Sequence, residues 1–240
     1  MIKGIVFDKD GTLISYEKCW VERTVAATER LLSRHGAISI MDNIMKELGV
    51  LSDGGIDISG ALCHGTYADI SKLYAAEMST IGVKITWEEL LPELKSDFYY
   101  FKHLAKSEPQ CDGICELLSS LRGRGIRLGL VTSDDIEGVK ATLSALGVIP
   151  LFDAVLCSDG IHPTKPDPYY MLEFCRLTAL SPTEVLMVGD TLADMEFGKN
   201  AGAYTLGVGK SEKNREILAA AADFLAPDIS HIPEILRKII

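Results

Sequence analysis

The stretch GIVFDKDGTL, Gly4 to Leu13, joins an apolar run to two acidic residues and a glycine. Its first part, GIVF, has the β-branched and aromatic residues that favour a buried strand. Alternate strand residues point to the same side, so Asp8 and Asp10 are expected together while Lys9 points away. Gly11 then lets the chain turn sharply. Two adjacent carboxylates repel each other, and a bound cation would relieve that repulsion.

Similar apolar runs recur along the chain, each bounded by Gly, Asp or Ser. They predict strands at 2–7, 127–132, 154–158, 185–189 and 203–208. Apolar residues at helical spacing lie between them, and they predict helices at 114–124, 136–146, 169–177 and 194–201. Alternating strands and helices indicate an α/β fold with a doubly wound parallel sheet. A final amphipathic helix is predicted within 230–240, with Ser230 as its N-cap.

The segment 15–106 interrupts this alternation, because its apolar residues follow helical spacing with weak strand signals. Helices are predicted at 24–34 and 41–48. Two more helix starts carry a hydroxyl residue and, three residues later, an acid: Thr66 with Asp69, and Thr86 with Glu89. Four helices would give this segment a helical domain of its own.

The predicted organisation is therefore an α/β core formed by 1–14 and 107–240, with a helical domain inserted at 15–106. Flexible linkers between the two are expected at 13–16 and 108–112, where Pro and Gly punctuate the second linker.

Composition restricts the classes of protein to consider. The 240 residues are 47% hydrophobic and 24% charged, which is typical of a globular protein with a sizeable core. The net charge of -10 disfavours binding to nucleic acid or to an anionic membrane. A small phosphate can still bind where a metal and one or two lysines reverse the field locally.

The six cysteines are scattered, and only Cys111 and Cys115 lie close together. Without a second pair a zinc site is disfavoured, and reduced thiols are expected. No basic segment leads into a long apolar one at the N-terminus, and no apolar stretch reaches membrane-spanning length. We therefore expect a cytoplasmic protein.

Polar groups also follow other predicted strands. Thr132 and Ser133 end the strand in LGLVTSDD, Lys165 lies in HPTKPDP, and MVGDTLAD carries Asp190 with Asp194. Each has an ordinary explanation alone, such as a solvated turn, a solvated lysine or an acid that complements a helix dipole. Parallel strands bring their carboxyl ends to one crevice, however, and together these groups suit a phosphate and a magnesium ion.

In this order the motifs resemble those of the haloacid dehalogenase superfamily, which has a Rossmann-like core. The chain looks most like its phosphatases with an inserted helical cap, such as phosphoglycolate phosphatases. Residues 8–13 match the first motif, Thr132 the second, Lys165 the third, and Gly189-Asp190 with Asp194 the fourth. The resemblance covers the whole chain, including the position of the insert. Asp10 separates the chain from the superfamily's dehalogenases, which lack a carboxylate there.

The resemblance implies hydrolysis of a small-molecule phosphate monoester through an aspartyl phosphate. Asp8 would be the nucleophile, and Asp10 the general acid and then the general base. Thr132 and Lys165 would hold the transferring oxygens. Further substrate contacts are expected from Gly11 and Ser133.

The resemblance also implies Mg²⁺. Its expected ligands are Asp8, the backbone carbonyl of Asp10, and Asp190, with Asp194 either as a ligand or beside one. Such a metal neutralises charge that would otherwise repel a carboxylate nucleophile. The partner would be a small phosphorylated metabolite, with no nucleic acid and no membrane, and the chain a monomer or homodimer.

In the capped phosphatases the insert closes over the site and selects the leaving group. The stretch DISGALCHGTYADI, 57–70, resembles the substrate loop of such a cap, and Ser59 and His64 are candidate contacts. The alternative is that Thr66 only caps a helix and that His64 is a surface residue.

Lys9 departs from the resemblance, because capped phosphatases more often have an apolar residue there. Since it is expected to point away from the site, we predict a packing or surface role. Two other functions stay open: a phosphosugar mutase, which has the same motifs, and a regulatory protein on an inactive scaffold. The second expects losses among the catalytic residues, and none has occurred.

Overall fold

In the computed structural model, GIVF forms β1 (Gly4–Phe7), a central strand of a parallel sheet. The other strands are β2 (Arg127–Thr132), β3 (Ala154–Cys157), β4 (Val185–Gly189), β5 (Tyr204–Val208) and β6 (Phe224–Ala226). Their order is β3-β2-β1-β4-β5-β6, so the direction of winding reverses between β1 and β4. The predicted doubly wound parallel sheet is confirmed.

The structure describes residues 1–104, 108–134 and 136–239. The chain divides into a core unit, Met1–Ser15 with Ser107–Ile240, and an inserted unit, Tyr16–Lys106. The junction predicted between 106 and 107 lies outside the described residues. Ser15, predicted to begin the insert, belongs to the core unit instead.

The inserted unit is helical. Its helices are α1 (Glu22–Arg34), α2 (Met41–Leu48), α3 (Ala61–His64), α4 (Tyr67–Thr80) and α5 (Trp87–Tyr100). Thr66 and Thr86 each form a complete capping box at the starts of α4 and α5, as their spacing predicts. Leu31, Tyr74 and Leu94 are among the fully buried side chains that hold these helices together.

The helices of the core unit cover both faces of the sheet. They are α6 (Ile114–Gly123), α7 (Ile136–Ala145), α8 (Tyr169–Thr178), α9 (Leu192–Ala201), α10 (Glu212–Leu218) and α11 (Ile232–Lys238). Because side chains alternate along β1, Ile5 and Phe7 join one hydrophobic cluster while Val6 joins the cluster on the other face. Full burial of each such side chain contributes about 1.5–3 kcal/mol, which fixes the strand whose end carries Asp8.

Segments predicted to be flexible linkers are paired in the structure. The Ser15 N–H donates to the carbonyl oxygen of Glu108 at 2.9 Å, and the Gln110 N–H donates to that of Leu13 at 2.9 Å. Leu13 and Ser15 are buried as well. The two chain segments that lead to the inserted unit are therefore joined by backbone hydrogen bonds where they lie in the core unit.

The predicted Ser230 N-cap is wrong. The Asp228 side chain accepts a hydrogen bond from the Ser230 N–H at 2.8 Å and starts a 3₁₀ turn, Ile229–His231, which leads into α11. Within the described ranges, no helix is both long and apolar enough to cross a bilayer.

Candidate active site

The site lies where the winding of the sheet reverses. Phe7 and Val188 are paired between β1 and β4, and the next residue, Asp8, donates its N–H to the Val188 carbonyl oxygen at 2.9 Å. Asp190 follows β4, so the two carboxylates leave neighbouring strands at the same edge. Thr132 ends β2 on the other side of β1. This crevice is where open α/β sheets bind ligands.

Lys165 joins two of the carboxylates. Its Nζ lies 2.5 Å from Oδ1 of Asp8 and 2.6 Å from Oδ1 of Asp194. The side chain is 8% exposed, so the loop between β3 and α8 delivers this lysine into the site rather than to solvent. A cation in this position can hold a negatively charged phosphoryl group beside Asp8.

Asp194 is fixed by the start of α9. Oδ2 of Asp194 accepts hydrogen bonds from the Thr191 hydroxyl at 2.6 Å and the Thr191 N–H at 3.1 Å. Its N–H donates in return to the Thr191 hydroxyl, which completes a capping box. Both Asp194 oxygens are therefore occupied, one by the helix start and one by Lys165.

The turn after β1 brings the backbone against Asp190. Gly11 has a φ of 82°, and a Cβ at this position would lie 2.0 Å from Oδ2 of Asp190. The Thr12 hydroxyl donates to Oδ1 of Asp190 at 3.3 Å. The Gln110 amide donates to the Gly11 carbonyl oxygen at 2.9 Å and holds the turn. Only glycine combines this φ with so close an approach.

Burial dominates the electrostatics of the site. It raises the pKa of Asp8 to about 7, although Lys165 opposes the shift. It also raises the pKa of Asp190 well above the ordinary range, and the neighbouring charges of Asp8 and Asp194 add to that shift. Burial alone would lower the pKa of Lys165, but the Asp194 and Asp8 carboxylates outweigh it and raise that pKa. Burial therefore makes the ionised forms of Asp8 and Asp190 costly in this site.

The donor set fits a divalent cation. Asp8, Asp190 and Asp194 are buried, and each has a carboxylate oxygen within 4.8 Å of the others. Because both Asp194 oxygens already accept hydrogen bonds from the chain, Asp8 and Asp190 are the carboxylates that could bind the cation. Carboxylate oxygens are the hard ligands that Mg²⁺ prefers, and a cation beside Asp190 would oppose the burial and the neighbouring charges that raise its pKa. The residues present therefore fit the magnesium ion that the sequence predicts.

Asp10 lies in the same crevice, close enough for its charge to raise the pKa of Asp8. The prediction that Lys9 points away from the site is wrong. Lys9 is 3% exposed, and its Nζ lies 3.1 Å from Oδ2 of Asp10 and 2.6 Å from Oδ2 of Asp134. The alternation of a strand does not apply to these residues, because β1 ends at Phe7 and the chain is already turning.

The remaining predicted substrate residues differ in their placement. Thr132 is buried and its hydroxyl accepts the Asp134 N–H at 3.2 Å, whereas Ser133 is exposed. Ser59 is exposed in the inserted unit, and its hydroxyl donates to Oδ1 of Asp57 at 2.6 Å. His64 ends α3, and its side chain lies outside the described part of the structure.

The haloacid dehalogenase-like hydrolase family matches residues 2–202, which include every site residue described above. The chain belongs to this family. The predicted fold and the predicted membership among its phosphatases are confirmed at this level.

Curated relatives in the haloacid dehalogenase-like family are phosphatases with different named substrates. An N-acetylmuramic acid 6-phosphate phosphatase of Pseudomonas aeruginosa is 26% identical over 207 residues, covering 86% of this chain and 81% of the relative. Pyrophosphatase PpaX of Listeria innocua is 26% identical, covering 98% and 97%. A phosphoglycolate phosphatase of Thiobacillus denitrificans is 22% identical, covering 99% and 96%. These relatives agree on phosphate release and differ in the rest of the substrate.

Sequence reasoning missed several residues that support the site. Thr12 donates to Asp190, Gln110 donates to the Gly11 carbonyl oxygen, and Thr191 holds Asp194. Asp134 pairs with Lys9. Thr191 carries a signal, because a hydroxyl followed three residues later by an acid predicts a capping box. The other three make contacts between distant segments, which local patterns do not contain.

Proposed function

We propose that this chain hydrolyses a small phosphate monoester through a phosphoryl group carried on Asp8. The observation that carries the proposal is the position of Asp8, buried at the reversal of the sheet with Lys165 at 2.5 Å and the Asp190 carboxylate beside it. A buried carboxylate next to a cation and at the mouth of a crevice suits nucleophilic attack on phosphorus.

In the first step an oxygen of Asp8 forms a bond to phosphorus while the bond from phosphorus to the leaving oxygen breaks. Asp10 donates a proton to that oxygen, so the alcohol leaves neutral. Lys165 and the Thr132 hydroxyl hold the phosphoryl oxygens in place. In the second step the oxygen of water forms a bond to phosphorus while the bond from phosphorus to the Asp8 oxygen breaks. Asp10 takes a proton from the water, and inorganic phosphate leaves with the Asp8 carboxylate restored.

Asp8 and Asp190 are the carboxylates we assign to magnesium, together with the backbone carbonyl of Asp10. Asp194 is assigned to holding Lys165, because both of its oxygens already accept hydrogen bonds from the chain. When bound, magnesium would neutralise phosphoryl charge and so reduce repulsion of the Asp8 carboxylate.

The substrate class we propose is a small, strongly anionic metabolite, with the inserted unit acting as a cap that selects it. The support is the range of compounds named for the relatives, a sugar phosphate, pyrophosphate and phosphoglycolate. Ser59 and His64 stay predictions as contacts of that cap.

The test is phosphate release from a panel containing these three compounds and 4-nitrophenyl phosphate. It is measured with magnesium, with excess EDTA, and with Asp8→Asn. We expect release that needs both magnesium and Asp8, and the preferred compound identifies what the insert selects. If the wild type converts none of the panel to phosphate, hydrolysis is contradicted, and a mutase or a non-catalytic role becomes the better explanation.

A further inference from the structure

Lys9 has no part in the mechanism above, yet its side chain is buried beside the general acid. Its Nζ lies between two carboxylates from different segments, Asp10 in the turn after β1 and Asp134 beyond the end of β2. Only 3% of Lys9 is exposed. An apolar side chain of similar volume would fill this space without the cost of removing a charge from water, so packing alone does not explain a lysine here.

The contact with Asp10 distinguishes the two oxygens of that carboxyl group. Oδ2 lies 3.1 Å from the Lys9 ammonium. Oδ1 is buried and has no hydrogen-bond partner in the part of the chain that the structure describes. A general acid must present its proton to the leaving oxygen at hydrogen-bond distance. Because Lys9 binds Oδ2, Oδ1 is the oxygen of Asp10 that can carry this proton.

Lys9 is itself fixed. Its 2.6 Å contact with Oδ2 of Asp134 is the shorter of the two, and the Asp134 N–H donates to the Thr132 hydroxyl at 3.2 Å. A connected set of contacts therefore runs from the end of β2 through Asp134 and Lys9 to Asp10. The set links the proposed phosphoryl-binding hydroxyl to the proposed proton donor.

We propose that Lys9 is a positioning residue: held by Asp134, it binds Oδ2 of Asp10 and so presents Oδ1 as the oxygen that exchanges protons with the leaving group and with water. This inference rests on the proposed function, in which Asp10 is the general acid. Lys9 forms no bond to the substrate and transfers no proton itself.

The test exploits the leaving group. An alkyl phosphate needs its leaving oxygen protonated, whereas 2,4-dinitrophenyl phosphate releases a stable anion. We expect Lys9→Met to lower kcat/KM for an alkyl phosphate by about 10- to 100-fold, and to lower it far less for the dinitrophenyl ester. Lys9→Gln, which keeps a neutral donor, should fall between the wild type and Lys9→Met. Lys3→Met is the matched control, because it removes an exposed lysine paired with Glu184 at 2.6 Å.

A second comparison shows whether Lys9 acts through Asp10. On phenyl phosphate, Lys9→Met should lower kcat/KM in the wild-type background and change it little in an Asp10→Asn background, because the group that it positions is gone. A role in folding alone would lower kcat/KM in both backgrounds.

Equal losses on the alkyl and dinitrophenyl esters, or equal losses with and without Asp10, would overturn the inference and leave the proposed function standing. A wild type that hydrolyses none of the three esters contradicts the proposed function, and the inference fails with it. Activity of each variant on the dinitrophenyl ester also reports whether that variant has folded.

Discussion

Gly11 is the residue at which backbone and catalytic chemistry meet most closely. Its φ of 82° lies in the left-handed region, and the space that a side chain would need is filled by the Asp190 carboxylate. The turn therefore packs the first motif against the fourth with no room for a side chain at Gly11. Asp190 in turn accepts a hydrogen bond from Thr12, the next residue of the turn.

The first prediction concerns Gly11→Ala. The left-handed φ should cost about 1–2 kcal/mol, and the overlap with Asp190 should add about 1–3 kcal/mol as for an overpacked site. Displacement of Asp190 should lower kcat/KM by about 100-fold. Urea unfolding and phosphate release measure the two effects.

Gly202→Ala is the matched control, because Gly202 has the same φ of 82° and a Cβ there would meet no atom within 4 Å. Gly202→Ala should lose only the stability that the left-handed φ costs, and should keep its activity. Equal losses of stability and activity in the two variants would contradict the assigned contact with Asp190.

Residues of the site differ in how far sequence could predict them. Asp8, Lys165, Asp190 and Asp194 lie together because each follows or approaches the end of a strand, which the apolar runs and the resemblance indicate. The side chain of Lys9 departs from the predicted strand alternation because β1 ends at Phe7. Its partner Asp134 is 125 residues away in sequence, so no local pattern contains the contact.

Among the elements, α9 links helix stability to the site. The capping box of Thr191 satisfies backbone groups at the start of the helix and orients Asp194, whose other oxygen receives Lys165. Another helix start has the same kind of capping box but contributes no residue to the active site. Thr86 and Glu89 form it at the start of α5.

The second prediction follows from this comparison. Thr191→Ala should cost about 1 kcal/mol of stability, as expected for loss of an N-cap, and should also lower kcat because Asp194 no longer fixes Lys165. Thr86→Ala should cost a similar amount of stability and keep its kcat. Thermal unfolding and steady-state kinetics provide the two readouts. A Thr191→Ala enzyme with unchanged kcat would contradict the role given to Asp194.

Elements were predicted best where their apolar pattern was long. β1 to β5 and the longer helices between them follow from such runs. The four-residue helix α3, Ala61–His64, and the three-residue strand β6, Phe224–Ala226, have patterns too short to predict. The helix α10, Glu212–Leu218, was also missed, because only one of its residues, Leu218, is buried. The Ser230 cap failed because Asp228, two residues earlier, already accepts the Ser230 N–H.

For the whole molecule, the overall charge and the charge at the site have to be considered separately. The chain carries a net charge of -10, and the site gathers the buried carboxylates of Asp8, Asp190 and Asp194 around Lys165. Burial, and then the charges of Asp8 and Asp194, raise the pKa of Asp190, so a cation bound beside it would favour its ionised form. A cation that binds the folded chain should stabilise it.

The third prediction is that magnesium raises the Tm in the absence of any substrate. At 100 times the Kd the stabilisation should be about 2.7 kcal/mol, and Asp190→Asn should remove most of it. Glu173→Gln is the control, since this partly exposed acid pairs with Arg176 away from the site. An equal response of the wild type and Asp190→Asn to magnesium would contradict the assigned ligand.

The measurement that tests the central claim most directly is mass spectrometry of the peptide that carries Asp8. Asp10→Asn enzyme is mixed with magnesium and 2,4-dinitrophenyl phosphate, then quenched in acid. This variant should form the aspartyl phosphate, since the leaving group needs no proton, and hydrolyse it slowly, since the general base is missing. We predict a burst of dinitrophenol and a peptide heavier by one phosphoryl group at Asp8, both absent in Asp8→Asn. Continued turnover with an unmodified Asp8 peptide and no burst would contradict a covalent mechanism.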